Sequence, residues 1–208
     1  MVKRDTTFAE LLASPEVEET CVLRSPRLGF MAYHGGELEK VTDIVASNAA
    51  ERSGASYYGL TQQVDPLHHI ASIRVDPEAS PKLTSILEHV DAVITVHGYG
   101  RRTMKKSVLL GGRNRELAHH LASHLRPTLD GYEIIDELDK IPEQLQGQHL
   151  QNPVNLARKQ GVQVELPPTI RWNYADTDWS DFGKAGRATD TETLIQALAD
   201  AAVAWMEG

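Results

Sequence analysis

Leu28-Gly29-Phe30-Met31-Ala32-Tyr33-His34-Gly35-Gly36 and Ala92-Val93-Ile94-Thr95-Val96-His97-Gly98 share one form: an apolar run of strand length that ends in histidine and then glycine. The β-branched run in the second is the clearest strand signal in the chain. In the first, paired glycines let the backbone turn tightly, and Leu38, Val41, Val45 and Ala49 then recur at helical spacing, which predicts a helix over 38–52. Working outward, the same alternation runs end to end. Strands are expected over 21–23, 28–33, 56–60, 69–73, 92–96, 107–110, 132–135 and 162–166. Helices are expected over 7–13, 81–89, 116–125 behind an Asn114 N-cap, and 192–206, with a loop rich in Asp and Trp over 173–183. Eight short strands with helices between them predict an α/β fold, a single domain over 1–208 with a mixed central sheet flanked by helices.

Composition narrows the function. The chain has 208 residues, of which 41% are hydrophobic and 24% charged, ordinary values for a globular protein. A formal charge of -8 argues against nucleic acid or an anionic membrane as partner, since both need a basic surface. The charge is uneven, however. Residues 101–126 hold seven basic side chains against Glu116 alone, so that this stretch carries +6 and the remainder -14. With Cys21 as the single cysteine, an intrachain disulfide and a thiolate metal cage are both excluded, and any metal must be held by His, Asp or Glu. The N-terminal residues lead into polar sequence without a signal-type apolar segment, and no run approaches membrane-spanning length. The expectation is a cytoplasmic protein.

Side chains just beyond the carboxyl ends of strands converge on the ligand crevice of an α/β sheet, so His34 and His97 are expected to meet there. Two neutral imidazoles and one carboxylate form the ligand set of a catalytic zinc with an open fourth position. Glu39 and Glu37 both lie close enough to His34 to complete it, and spacing does not choose between them.

His34-Gly35-Gly36-Glu37-Leu38-Glu39, followed by Thr42-Asp43-Ile44-Val45-Ala46, resembles the HGGxIE…TxxIA signature of the phage-type poly-γ-glutamate hydrolases. That family consists of zinc hydrolases with a carboxypeptidase-like fold. His69-Ile70-Ala71-Ser72, Val93 to Gly98, Leu110-Gly111-Gly112 leading to Leu117, Asn152-Pro153-Val154-Asn155-Leu156-Ala157-Arg158 and Gly161-Val162-Gln163-Val164-Glu165-Leu166 are similar to its further motifs, in the same order. Two departures stand out, Val41 where a glycine is expected before Thr42, and Ala71 in place of threonine; neither removes a ligand candidate.

The resemblance implies a zinc-carboxypeptidase-like fold, zinc on His34, Glu39 and His97, Glu165 as general base, and a γ-glutamyl polymer or peptide as polyanionic substrate. By strand alternation alone, Glu165 would face outward with Gln163, opposite a buried Val162-Val164-Leu166 face. Planar arginine is the natural partner of a substrate carboxylate, and Arg113, together with Arg158 and its neighbour Asn155, is the candidate for that task. Two other readings follow from the same residues: a zinc peptidase or amidase acting on another carboxylate-bearing amide such as a cell-wall peptide, or a non-catalytic metal-binding relative.

Overall fold

The computed structural model describes residue 2 and residues 6–208; the remaining residues of the N-terminal stretch read for a leader lie outside the described residues. A seven-stranded mixed sheet runs in the order β1-β3-β2-β4-β7-β5-β6. Its strands are β1 (Val17–Val22), β2 (Ser25–Gly36), β3 (Ala55–Gln62), β4 (Ala92–Gly98), β5 (Ser107–Leu110), β6 (Glu133–Ile135) and β7 (Gly161–Leu166). The inner strands β3, β2, β4 and β7 are parallel to one another, whereas β1 attaches antiparallel to β3, β5 attaches antiparallel to β7, and β6 runs parallel to β5.

Strand alternation sorts the core into two layers. Leu28, Phe30 and Ala32 of β2, Ala92, Ile94 and Val96 of β4, and Val162, Val164 and Leu166 of β7 face one way. They pack against three helices, α2 (Thr42–Ser53), α4 (Arg115–Leu125) and α6 (Thr189–Glu207). On the opposite face Met31, Tyr33, Tyr58, Leu60 and Val93 meet α1 (Phe8–Leu12) and α3 (Pro81–His89). Helices on both sides explain why the inner strands are apolar on both faces. No helix among the described residues is long and apolar enough to cross a membrane.

Three expectations need correction. Residues 69–73 form no strand, so the sheet has seven strands; Ser72–Arg74 is a short 3-10 turn, and the Ile70 carbonyl is taken up by His34 rather than by a ladder. The helix expected from residue 38 begins at Thr42, because Gly36 and Val41 adopt left-handed backbone (φ 71° and 78°) and residues 37–41 make a separate turn. The 173–183 loop holds a small hairpin of β8 (Trp172–Asn173) and β9 (Asp178–Trp179), joined to β7 by α5 (Pro168–Arg171).

Gly36 is required by that turn twice over. Its φ is left-handed, and a Cβ there would lie 2.3 Å from the Gln62 carbonyl oxygen. Gly36→Ala is expected to destabilise the fold by more than the about 1–2 kcal/mol of left-handed strain alone. Urea unfolding of the two proteins measures it.

Candidate metal and catalytic site

His34, His97 and Glu165 stand at the carboxyl ends of β2, β4 and β7, which lie side by side and parallel. His97 is registered directly against Glu165. His34 reaches them through an irregularity. Simple alternation would send it to the face opposite Tyr33, but the β2–β3 register shifts between Ala32 and Gly35, and the ring ends 5.1 Å from that of His97. The turn then brings Glu39 back: its N–H donates to the His34 carbonyl at 2.8 Å, while its own carbonyl accepts from Thr42 N–H and Oγ1. Glu37 points elsewhere, half-exposed and paired with Lys40 at 2.7 Å, so geometry selects Glu39 where spacing could not.

The donor atoms of His34, Glu39 and His97 all lie within 4.8 Å of one another, and no second such trio occurs among the described residues. Their hydrogen bonding sets acceptor atoms face to face. His34 Nε2 is 2.8 Å from the Ile70 carbonyl oxygen, which can only accept, so Nε2 carries the proton. A neutral ring then turns the lone pair of Nδ1 toward Glu39 Oε1 at 3.0 Å, acceptor against acceptor. His97 Nδ1 faces the other oxygen at 3.4 Å, and that oxygen also accepts from Gly98 N–H at 2.9 Å. Either extra protons or a metal ion must occupy the centre of such an arrangement, and the donor set suits zinc.

The electrostatics agree. Burial by itself pushes His34 down, but the Glu39 carboxylate outweighs it and holds His34 above the usual imidazole range. Burial keeps His97 below that range, despite the pull of Glu39. Burial also opposes ionisation of Glu39, yet His34 and His97 together hold it well below the carboxylate range. Glu165 goes the other way: burial, with the negative Glu39 close by, raises it well above that range, against a lowering hydrogen bond from Gln163. A doubly positive ion at the trio would reverse the sign of the field at Glu165 and favour its carboxylate form.

Glu165 and Gln163 do share a face, as alternation requires, but both are about 4% exposed rather than outward in solvent. The 145–155 segment covers Gln163.

The candidate substrate residues are not brought to this site. Arg158 sits at the opposite ends of β4 and β7, three-quarters exposed, paired with Asp91. Asn155 spends its amide on Gly147 and His149 carbonyls and accepts from Arg113 N–H, which makes it a loop fastener. Arg113 itself is exposed, in a polar cavity beside Asp91 and Lys159. Much of the basic 101–126 stretch is structural too: Arg115 donates to the Leu110, Gly111 and Gly112 carbonyls, and Arg126 binds Asp136.

Arg171, at the end of α5, is the residue that sequence reasoning missed. It is 5% exposed and rests on Gly98, where a Cβ would come within 2.6 Å of the guanidinium. Nη1 donates to the Lys40 carbonyl at 2.8 Å, and the group lies 5.0 Å from the Trp179 ring centre. Nε is buried with no partner, and among the described residues no carboxylate forms an ion pair with it. Burial lowers Arg171 to about 10, with Glu39 and Glu165 opposing, so that it stays cationic at neutral pH. The only sequence signal is the pair of prolines just before it, which start α5. His69 is a second neighbour, its ring 4.9 Å from that of His34.

A family described as Poly-gamma-glutamate hydrolase matches residues 6–196. The SPbeta prophage-derived UPF0714 protein YoqZ of Bacillus subtilis (strain 168) is 29% identical over 162 residues; the match takes in 77% of this chain and 55% of that protein, so the chain spans about half the length of the curated relative it matches. Among solved structures, a bacteriophage poly-gamma-glutamate hydrolase superposes with TM-score 0.76 at 20% identity, covering 89% of this chain and 87% of the other. YndL, solved in an apo, zinc-free form, gives 0.73 at 19% identity, with 89% of each chain covered. A weaker likeness, 0.52 at 9% identity over 95% of this chain and 65% of the other, to a putative carboxypeptidase from Burkholderia mallei makes the fold carboxypeptidase-like.

The acceptor pair His34 Nδ1 and Glu39 Oε1 makes a checkable statement about metal uptake. A metal must displace the proton that Glu39 stabilises on His34, so apparent zinc affinity is expected to increase with pH through the ordinary imidazole range and to level off only above it. Elemental analysis should find one zinc per wild-type chain and none in His97→Ala. Zinc retained by His97→Ala would remove the trio as the site.

Proposed function

Since the chain belongs to the poly-gamma-glutamate hydrolase family, we propose that it hydrolyses γ-glutamyl amide bonds, with poly-γ-glutamate as its substrate, His34, Glu39 and His97 as zinc ligands, and Glu165 as general base. The observation that carries this reading is the convergence of the three donor atoms at the strand end where Glu165 is registered against His97. Zinc held there would polarise the scissile carbonyl and acidify the attacking water.

The chain's own residues supply the rest. Glu165 takes the proton of the attacking water and passes it to the departing amide nitrogen, which leaves as a neutral amine. Tyr33 packs edge-on against both histidine rings, and the Ile70 carbonyl holds the His34 tautomer.

Every residue of a γ-linked glutamate chain carries an α-carboxylate beside the amide to be cut. Among the described residues the only side-chain hydrogen bond of Arg171 uses Nη1, so its Nε and Nη2 edge has no partner there. That edge is the planar fork a carboxylate fits, and a buried cation with no counter-ion gains most from an anionic ligand. Arg171 therefore replaces Arg113 and Arg158 as the carboxylate-binding residue in this reading.

The zinc-loaded protein should shorten poly-γ-glutamate, as seen by size-exclusion chromatography, and should leave ordinary α-linked polyglutamate intact. Failure to cleave the γ-linked polymer sinks the substrate assignment. Glu165→Gln is expected to lose about 10²- to 10⁴-fold in rate while keeping its zinc. Arg171→Met should lose about 10- to 100-fold in kcat/KM, mostly through KM, the loss of a charge-assisted bond. An Arg171→Met protein with unchanged KM would remove Arg171 from substrate binding.

A further inference from the structure

Behind Glu165 lies a line of buried polar side chains that the proposed chemistry leaves unused. Tyr33 Oη donates to Asn152 Oδ1 at 3.1 Å, Asn152 Nδ2 donates to Gln163 Oε1 at 2.9 Å, and Gln163 Nε2 donates to Glu165 Oε1 at 2.9 Å. None of the four residues is more than 4% exposed. They come from three separate motifs: the residue before the His-Gly-Gly turn, the head of the Asn-Pro segment, and the strand that carries Glu165.

The direction of this line is set at both ends. The Val154 N–H donates to Asn152 Oδ1 at 3.3 Å, so Asn152 must turn its amino group toward Gln163. The Leu145 carbonyl accepts from Gln163 Nε2 at 3.3 Å, so a flipped Gln163 would set its oxygen against two acceptors at once. Gly147, at φ +63°, adds a steric clamp, since a Cβ there would lie 2.6 Å from Gln163 Oε1. Every donor therefore points toward Glu165.

One oxygen of Glu165 is thereby committed. Oε1 accepts from Gln163 and cannot hold a proton toward it, whereas Oε2 has no hydrogen bond among the described residues and is not one of the fully buried atoms. We infer that Tyr33, Asn152 and Gln163 act as a positioning relay that orients Glu165 so that Oε2 alone receives the proton of the attacking water and returns it to the leaving nitrogen. The O–H bond of water breaks as the Oε2–H bond forms, and that bond breaks in turn as the new N–H bond forms. This inference rests on Glu165 as general base; the relay itself is made entirely of the chain's own side chains.

Two measurements test it. Gln163→Met keeps the length of the side chain and removes the donor; kcat on γ-glutamyl substrate is expected to fall about 10- to 100-fold, with KM and bound zinc unchanged. Asn152→Leu, which does not touch Glu165, should lower kcat by a smaller factor in the same pattern, and it carries the kinetic test if Gln163→Met fails to fold. In the metal-free protein, the ¹⁵N-resolved side-chain amide protons of Gln163 should exchange slowly, and their resonance should move in Tyr33→Phe, two links away. Wild-type kcat in both Gln163→Met and Asn152→Leu, or Gln163 amide protons that exchange as fast as exposed ones, would overturn the relay. A wild-type protein without hydrolase activity would instead overturn the functional reading, and the exchange measurement would still decide whether the relay exists.

Discussion

The site depends on the parallel alignment of β2, β4 and β7, because strands that run the same way end on the same edge of the sheet. That alignment brings His97 and Glu165 together by register alone. Its reach is limited by the two-residue period of a strand, which would aim Tyr33 and His34 at opposite faces. The register shift between Ala32 and Gly35 removes the conflict, and the two left-handed residues Gly36 and Val41 then return Glu39 to the same point. A small backbone irregularity thus turns an ordinary sheet edge into a convergent donor set.

Charge is the second constraint on this pocket. Glu39, Glu165 and Arg171 are all withdrawn from most of the solvent, where an unpaired charge is expensive and a matched one interacts strongly. Glu39 is matched by its histidines, while Glu165 and Arg171 are not paired with any side chain of opposite charge among the described residues. A site left electrostatically incomplete by its own side chains is suited to a cation at the trio and an anion at the guanidinium. The first matches the donor chemistry of two imidazoles and a carboxylate.

Much of this was legible in residue order, and the exceptions share a cause. The strand-His-Gly punctuation identified both histidines, and the ordered motifs identified Glu39 and Glu165. The bland view of Glu165 as an outward strand residue fails because the face it shares with Gln163 is buried and residues 145–155 cover Gln163, a contact made between segments far apart in sequence. Local charge and nearness to motifs point to Arg113 and Arg158. Charge density along a chain says nothing about which end of a strand a side chain occupies, and Arg158 lies at the wrong end of β4. Arg171 was overlooked for the converse reason, since a lone arginine after two prolines carries no local signal and becomes conspicuous only when its burial is known.

By itself the sequence determined the α/β class, the two histidines at strand ends, the exclusion of thiolate ligands by a single cysteine, and a set of motifs specific enough to indicate the family. These follow from short-range facts: side-chain period, turn chemistry and composition. Tertiary structure decided which arginine lies beside the trio, that residues 69–73 serve His34 rather than the sheet, and that Tyr33, Asn152 and Gln163 stand in line behind Glu165. Each of these is a contact between segments separated in the chain or a departure from regular backbone, and neither leaves a periodic trace in the order of residues.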